Sequence, residues 1–532
     1  MSPHPYIGVL GVFLGATIAT LNSRLLSVGL ADLRGALGAG FDEASWIPTA
    51  LNMATMFIGP FSVWLATLFG PRAVLLSSGA IFTVVSLLLP FAPSLPAVLA
   101  LQVVAGLSSG TFYPLTLTFV VRNLPPKLII LGVGAYALDI VFTSNIGALI
   151  QGILVEQLSW RWMFWCPAVL TPLMMLCVYA GVPRLPNHAR PFLRTTDWRG
   201  FLYVSLGLSL IYGALDQGER LDWLNSGLVV ALLAAGSFLL LVAAGRRYRS
   251  PNPMINLPFL NARNVIILGL GIFFIRFTLL TSILVIPGYL GNVQQYRALQ
   301  TGASLAWVAA PEFVFVWIAA LLTIFINSRI VMAAGFGTIA VAAWLCAHLD
   351  SSWSGQSFVL REVLLAAGIA LAFVGLVTSL LLLALEMGAV TSVGNAATFS
   401  SSMHGMRILG GQAGVALLTH FLSEREKFHS NMLGLGVDAG NWITAERLRG
   451  LAAAFAPISN GMEEAQARAA ALLGYQVRAQ AYTLACGDAL LLVCAAIVSY
   501  LLIAAFLRPS QIQLSDLRRS TRAQRKPTSR TE

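Results

Sequence analysis

Long uninterrupted apolar blocks constrain this chain more than any other feature. They recur about fourteen times at roughly 20 residues each, and a helix of that length crosses a hydrocarbon layer about 30 Å thick. Barrel strands would alternate in hydropathy over about 10 residues and do not fit continuous runs. Of the 532 residues, 57% are hydrophobic and only 10% are charged. A soluble domain carries about 25% charged residues, so a surface this apolar needs lipid as its solvent. An all-α integral membrane protein is the expected fold class. The first block, from Tyr6, is long and lacks a basic flank and a clear cleavage site, so it reads as a permanent span and not a signal peptide.

The expected spans are 6–30, 47–69, 73–92, 97–121, 128–155, 163–182, 200–215, 226–244, 264–290, 301–326, 330–349, 360–385, 400–422 and 484–506. Lys and Arg in the short loops give the orientation. With the N-terminus inside, the cytoplasmic connections carry Arg72, Arg122, Lys127, Arg184, Arg190, Arg194, Arg199, Arg246, Arg247, Arg249, Arg263 and Arg329, and the tail adds seven more cations from Arg508 onward. The opposite side holds only Arg34, Arg161, Arg220, Arg297 and Arg361, an asymmetry of roughly four to one. Both termini are therefore expected in the cytoplasm. The net charge of +11 is mostly this topology signal and calls for no nucleic-acid partner. The basic tail also suits anionic lipid headgroups.

The chain divides into a six-helix bundle over residues 1–185, two inserted helices with basic flanks over 186–262, a second six-helix bundle over 263–508, and a basic tail over 509–532 expected to lack regular structure. A long polar segment, 423–483, interrupts the second bundle on the outer face. Within it, Glu463–Ala481 reads as a helix extending the last span outward, with Asn460 and Glu463 at capping-box spacing. Paired six-helix halves fit a transporter whose site lies between them. The five cysteines, Cys166, Cys177, Cys346, Cys486 and Cys494, lie in apolar blocks, form no CxxC pair, and imply neither a disulfide framework nor a zinc site.

Four local strings add a resemblance to this layout. They are Ser159-Trp160-Arg161-Trp162-Met163-Phe164-Trp165, Leu215-Asp216-Gln217-Gly218 followed by Asp222-Trp223 and Ser226, Met406-Arg407-Ile408-Leu409-Gly410-Gly411, and Gln480-Ala481 with Asp488-Ala489. In this order and spacing the chain resembles the major facilitator superfamily, and within it the fourteen-helix drug:proton antiporters of the EmrB/QacA-like branch. The resemblance implies proton-coupled multidrug efflux by alternating access across a bacterial inner membrane. Permeases of this kind often work with a periplasmic membrane-fusion adaptor and an outer-membrane channel, which makes 423–483 a candidate docking surface. It further implies conformational roles for Gly70, Arg72, Gly106, Gly147, Gly152, Arg407 and Asp488. Departures are also present. Asn22 stands where the branch has an acid in its first helix, and Gln102 replaces an intramembrane Arg. Gly147-Ala148-Leu149-Ile150-Gln151-Gly152 lacks the usual Pro, and the loop at Gly70 and Arg72 lacks the usual Asp.

Ionisable groups inside lipid are costly and mark function. Asp139, near the middle of the fifth span, is the first candidate for a proton carrier, and Glu312, after Pro311, is the second. Arg24 and Arg276 lie in the first helix of each half, where they would bind an anionic substrate or pair with Asp139. Asn22, Gln102, Asn145 and Gln151 would line a path or join helices. His404 and His420 titrate near neutrality as a residue type. Trp46, Phe112, Tyr113, Tyr136, Phe274 and Phe277 either pack at interfaces and between helices, as aromatics commonly do, or form an apolar wall for the substrate. The chain contains no GxxxxGK[ST] loop, GxSxG elbow or HExxH helix. It is therefore read as a transporter of small molecules and protons, not an enzyme, with no cofactor and no metal. A permease uncoupled from protons or specific for organic anions is the alternative, and a sensor, scaffold or lipid-handling module is the alternative of another class.

Overall fold

The computed structural model describes residues 4–125, 128–184, 198–246, 261–387, 393–438 and 440–508. Lys127, Arg190, Arg194, Arg247, Arg249 and the tail from 509 fall outside that set, as does the side chain of Arg122.

The described residues form helices and no strands. Eleven helices are long and apolar enough to cross a membrane. Three further long helices fall where the second, seventh and thirteenth spans are expected. In chain order the long helices are α1 (Pro5–Val28), α2 (Trp46–Phe69), α3 (Pro71–Leu88), α4 (Leu95–Ser109, resuming as Phe112–Asn123), α5 (Ile129–Ile153), α6 (Trp162–Gly181), α7 (Trp198–Gln217) and α8 (Gly227–Arg246). They continue as α9 (Arg263–Leu280, then a wide turn and Ile286–Asn292), α10 (Ala298–Phe325), α11 (Ser328–Ala347), α12 (Gly355–Glu386), α13 (Val393–Gly434) and α14 (Met462–Ala504). Prolines sit inside α2, α6 and α10 at Pro60, Pro167, Pro172 and Pro311 without ending those helices. Neighbouring helices in lipid satisfy the backbone groups a proline frees.

Three basic residues, Arg263, Arg329 and Arg508, meet at one end of the bundle. Arg329 donates to the Leu507 carbonyl at 2.6 Å, Asn264 donates to the Arg508 carbonyl at 3.3 Å, and the Arg263 guanidinium lies 5.7 Å from the Phe506 ring centre. At the same end the turn between α2 and α3 is closed by Gly70 at φ +83°, a conformation that favours glycine. Arg72 then stacks on Tyr179 of α6 at 4.3 Å.

Two seams join the halves. In the first, α5 packs along α10. Near the opposite end, a side chain at Gly152 would fall 2.6 Å from the Leu299 backbone, and one at Gly302 would fall 2.4 Å from Leu149. Small residues permit this close approach, as is usual between helices in lipid. In the second seam α2 packs on α13, where His404 fills the space left by Gly59. The inserted pair is asymmetric. Helix α7 packs on α2, α8 and α13, whereas α8 exposes Phe238 and Leu241 along a lipid-suited face.

The segment 423–483 differs from a loop. Its Glu, Arg and Lys residues are good helix formers, and α13 continues through them to Gly434. Helix α14 begins at Met462 and, at 43 residues, is about 64 Å long by the usual rise per residue. It therefore projects well beyond a bilayer, with helix Trp442–Phe455 packed beside it. The expected cap is shifted by one residue. Glu464, not Glu463, accepts the Asn460 amide at 2.7 Å.

Candidate functional site

Asp139 occupies the eleventh position of α5 and keeps partial exposure although it lies at the centre of the bundle. Thr17, on the middle of α1, donates a short hydrogen bond to its Oδ1, while its Oδ2 finds no protein partner. Tyr136, one turn earlier on α5, meets Tyr113 of α4 with ring centres 5.3 Å apart. From the other half, Arg407 of α13 lays its guanidinium 3.6 Å from the Tyr113 ring centre. Arg276 of α9 packs over Gly411, one turn beyond Arg407. Asp139, Arg276 and Arg407 all lie within electrostatic range of Tyr113. The two halves thus contribute to one polar centre, and its charges are held by few protein partners. The Nε atoms of both Arg276 and Arg407 are buried without a hydrogen bond.

Arg24 is placed differently. Its Nε donates to the Ser144 carbonyl at 3.0 Å, and its aliphatic stem passes over Gly147, where a side chain would fall 2.7 Å from its Cγ. Among the described residues, no ion pair joins Arg24 or Arg276 to Asp139. Asn22 is buried one turn after Ile18, and Gln102 is buried on α4 with its Oε1 unpartnered. Glu312 is wholly buried at the α5–α10 seam, where Asn145 donates to one oxygen at 3.4 Å and the other is unpartnered. Gln151 donates to the Met163 sulfur at 3.0 Å, joining α5 to α6. A side chain at Gly106 would fall 2.3 Å from the Leu51 carbonyl, which sets the α2–α4 distance.

Away from this centre, the remaining candidates are tied down. Asp488 accepts from Arg425 at 2.6 Å and His429 at 2.8 Å, holding α14 against the outward extension of α13. His420 meets Glu219 at 2.8 Å. The expected aromatic wall is only partly present. Phe112 packs on Phe82 inside the first half, Phe277 is buried on Phe273, and Phe274 stacks on Tyr500.

Sequence reasoning missed two features. Thr17 is one of two threonines in α1, and nothing in the string marks it rather than Thr20 as Asp139's partner. The second is a network around Asp216 of α7, which had been noted only as part of a motif. Thr49 of α2 donates a short hydrogen bond to its Oδ2, and Gln412 of α13 donates to its Oδ1 at 2.7 Å. Tyr212 donates to Gln412 at 3.1 Å, and Gln217 donates to the Ser45 carbonyl at 3.2 Å. The signal was the i, i+4 polar pair Tyr212 and Asp216 on one face of α7, with Gln217 beside it.

The sequence model described as the Major Facilitator Superfamily matches residues 12–406. The multidrug export protein EmrB of Haemophilus influenzae is 24% identical over 437 residues, covering 82% of this chain and 84% of that one. The fatty acid resistance protein FarB of Neisseria gonorrhoeae is 23% identical, covering 79% and 81%. Among solved structures, an auto-inhibited peptide transporter of the POT family superposes with a TM-score of 0.55 at 15% identity, covering 95% of this chain and 98% of that one.

Proposed function

The chain belongs to the Major Facilitator Superfamily, and from that premise we propose that it is a secondary active exporter of amphipathic or aromatic drugs or organic acids, driven by an inward proton gradient. Alternating access moves the site between α1, α4, α5, α9 and α13 from one face of the membrane to the other. Asp139 carries the proton. The observation that supports this most is its carboxylate, half-satisfied by Thr17 and otherwise open, at the centre of a bundle where ionisable groups are costly. Glu312, tied only to Asn145 at the moving α5–α10 seam, is a second proton site. The named activities of the relatives, multidrug export and fatty acid resistance, fit a site that accepts amphipathic compounds.

In this reading all fourteen long helices cross a bacterial inner membrane, in a six, two, six arrangement with both termini in the cytoplasm. The exposed apolar side chains Ile458 and Met462, at the far end of the helical cap, suit docking of a periplasmic adaptor that leads to an outer-membrane channel. Gly70, Arg72, Gly106, Gly147, Gly152, Arg407 and Asp488 shape the conformational change.

The test is proton flux in reconstituted vesicles under an imposed pH gradient, with a panel of aromatic acids and cationic dyes. At least one member should be moved together with a counterflow of protons. Absence of flux with every member would overturn the proposal. Deletion of the cap helix with full adaptor capture would remove the docking role.

A further inference from the structure

We propose that the centre of the bundle is a binding site for an organic monoanion, in which Arg276 and Arg407 bind the acidic group and Tyr113, Tyr136 and Phe273 bound the apolar body. This deepens the transport reading and rests on it.

Charge carries the argument first. Arg276 and Arg407 are half-buried, and a charge withdrawn from water is costly unless it is paired and hydrogen-bonded. Arg276 and Arg407 are near enough to act on each other electrostatically, yet neither belongs to an ion pair among the described residues. The Nε of each is buried and unpartnered. No acid among the described residues forms an ion pair with either of them. Asp139 shares one oxygen with Thr17, and its single charge cannot neutralise two guanidinium groups. Asp216 gives both oxygens to Thr49 and Gln412. Glu312 sits apart in the α5–α10 seam with Asn145. The centre therefore has a surplus of positive charge and open donors.

Geometry selects the class of anion. A planar guanidinium offers parallel N–H groups that match a carboxylate fork. Arg407 lies over the Tyr113 ring at 3.6 Å, and Arg276 is seated over Gly411, where a larger residue would crowd it. The two cations project from α13 and α9 in one half, whereas the tyrosine rings that face them come from α4 and α5 in the other. An anion bridging them would contact both halves at once, as a substrate that triggers closure must. Phe273, one turn before Arg276 on α9, packs beside Gly410 of α13 and adds an apolar face next to the two cations. A small carboxylate with an aromatic or short acyl body fits this division.

The experiment uses the full chain in nanodiscs and three matched probes: 2-naphthoate, 2-naphthamide and a 2-naphthyl trimethylammonium cation. Wild type should bind the acid at least about tenfold more tightly than the amide, roughly the discrimination expected from one charged hydrogen-bonding partner. Arg276→Gln should abolish that preference, and Arg276→Lys should retain part of it. Arg407→Gln should lower it independently, with thermal stability recorded for each variant to exclude misfolding. Equal binding of acid and amide by wild type, tighter binding of the cation, no binding of the acid, or an undiminished preference in a folded Arg276→Gln would each overturn the proposal. Transport of a cation or neutral compound in vesicles, with no acid preference in nanodiscs, would sink the anion site and leave the exporter standing. No transport of any compound would sink the exporter itself.

Discussion

Asp139 and Asp216 are both carboxylates inside the same bundle, and their surroundings are opposite. Asp216 is held from two sides, by Thr49 of α2 and Gln412 of α13, so α7 ties the first half to the second. Asp139 has Thr17 for one oxygen and nothing for the other, and it shares the surroundings of Tyr113 with two unpaired guanidinium groups. A fully satisfied polar network fixes a structure, whereas a partly satisfied one is unstable unless something else completes it. The first arrangement suits a structural tie and the second suits a site that exchanges protons and ligand.

Substitutions can break that contrast. The largest effect is expected for Asp139→Asn. Proton-driven transport in everted vesicles should fall to the level of protein-free controls, while melting of the purified protein stays near wild type, because Asn still accepts from Thr17. Asp216→Ala should do the reverse. It strands Thr49 and Gln412 and should cost about 1–3 kcal/mol, seen as a lower melting temperature with transport reduced only in proportion to folded protein. Thr17→Val should slow transport by about tenfold, the equivalent of one ordinary hydrogen bond of about 1.4 kcal/mol, with little change in melting. Asp488→Asn should have the smallest effect, below about 1 kcal/mol, because its bonds to Arg425 and His429 are partly solvent-exposed. A large loss of transport in Asp488→Asn with unchanged stability would show that its part in the conformational change outweighs its part in holding α14 to α13.

The fold was legible because hydropathy is a property of each block by itself. Apolar runs located α1, α9 and α11 to within a few residues, and their physics needs no knowledge of neighbours. The outer segment was less legible. There the sequence is polar, and whether α13 stops at the membrane surface or continues depends on helix propensity and on the Arg425–Asp488 contact with α14, which lies 63 residues away in the chain. The site was legible in type and not in pairing. Asp139, Arg276 and Arg407 stand out as rare charges in apolar strings. That Thr17 and not an arginine would meet Asp139 depends on the rotation of α1 against α5, which no single string encodes. Phe112 and Phe277 turned into the cores of their own halves for the same reason.

The most direct test is proton release on substrate binding, measured with a pH indicator in weakly buffered detergent solution for wild type, Asp139→Asn and Asp216→Asn, using a compound shown to be moved in vesicles. Wild type and Asp216→Asn should exchange protons with the medium when the compound binds, and Asp139→Asn should bind it without exchange. Equal proton exchange by Asp139→Asn and wild type would contradict the assignment of the open carboxylate as the coupling group.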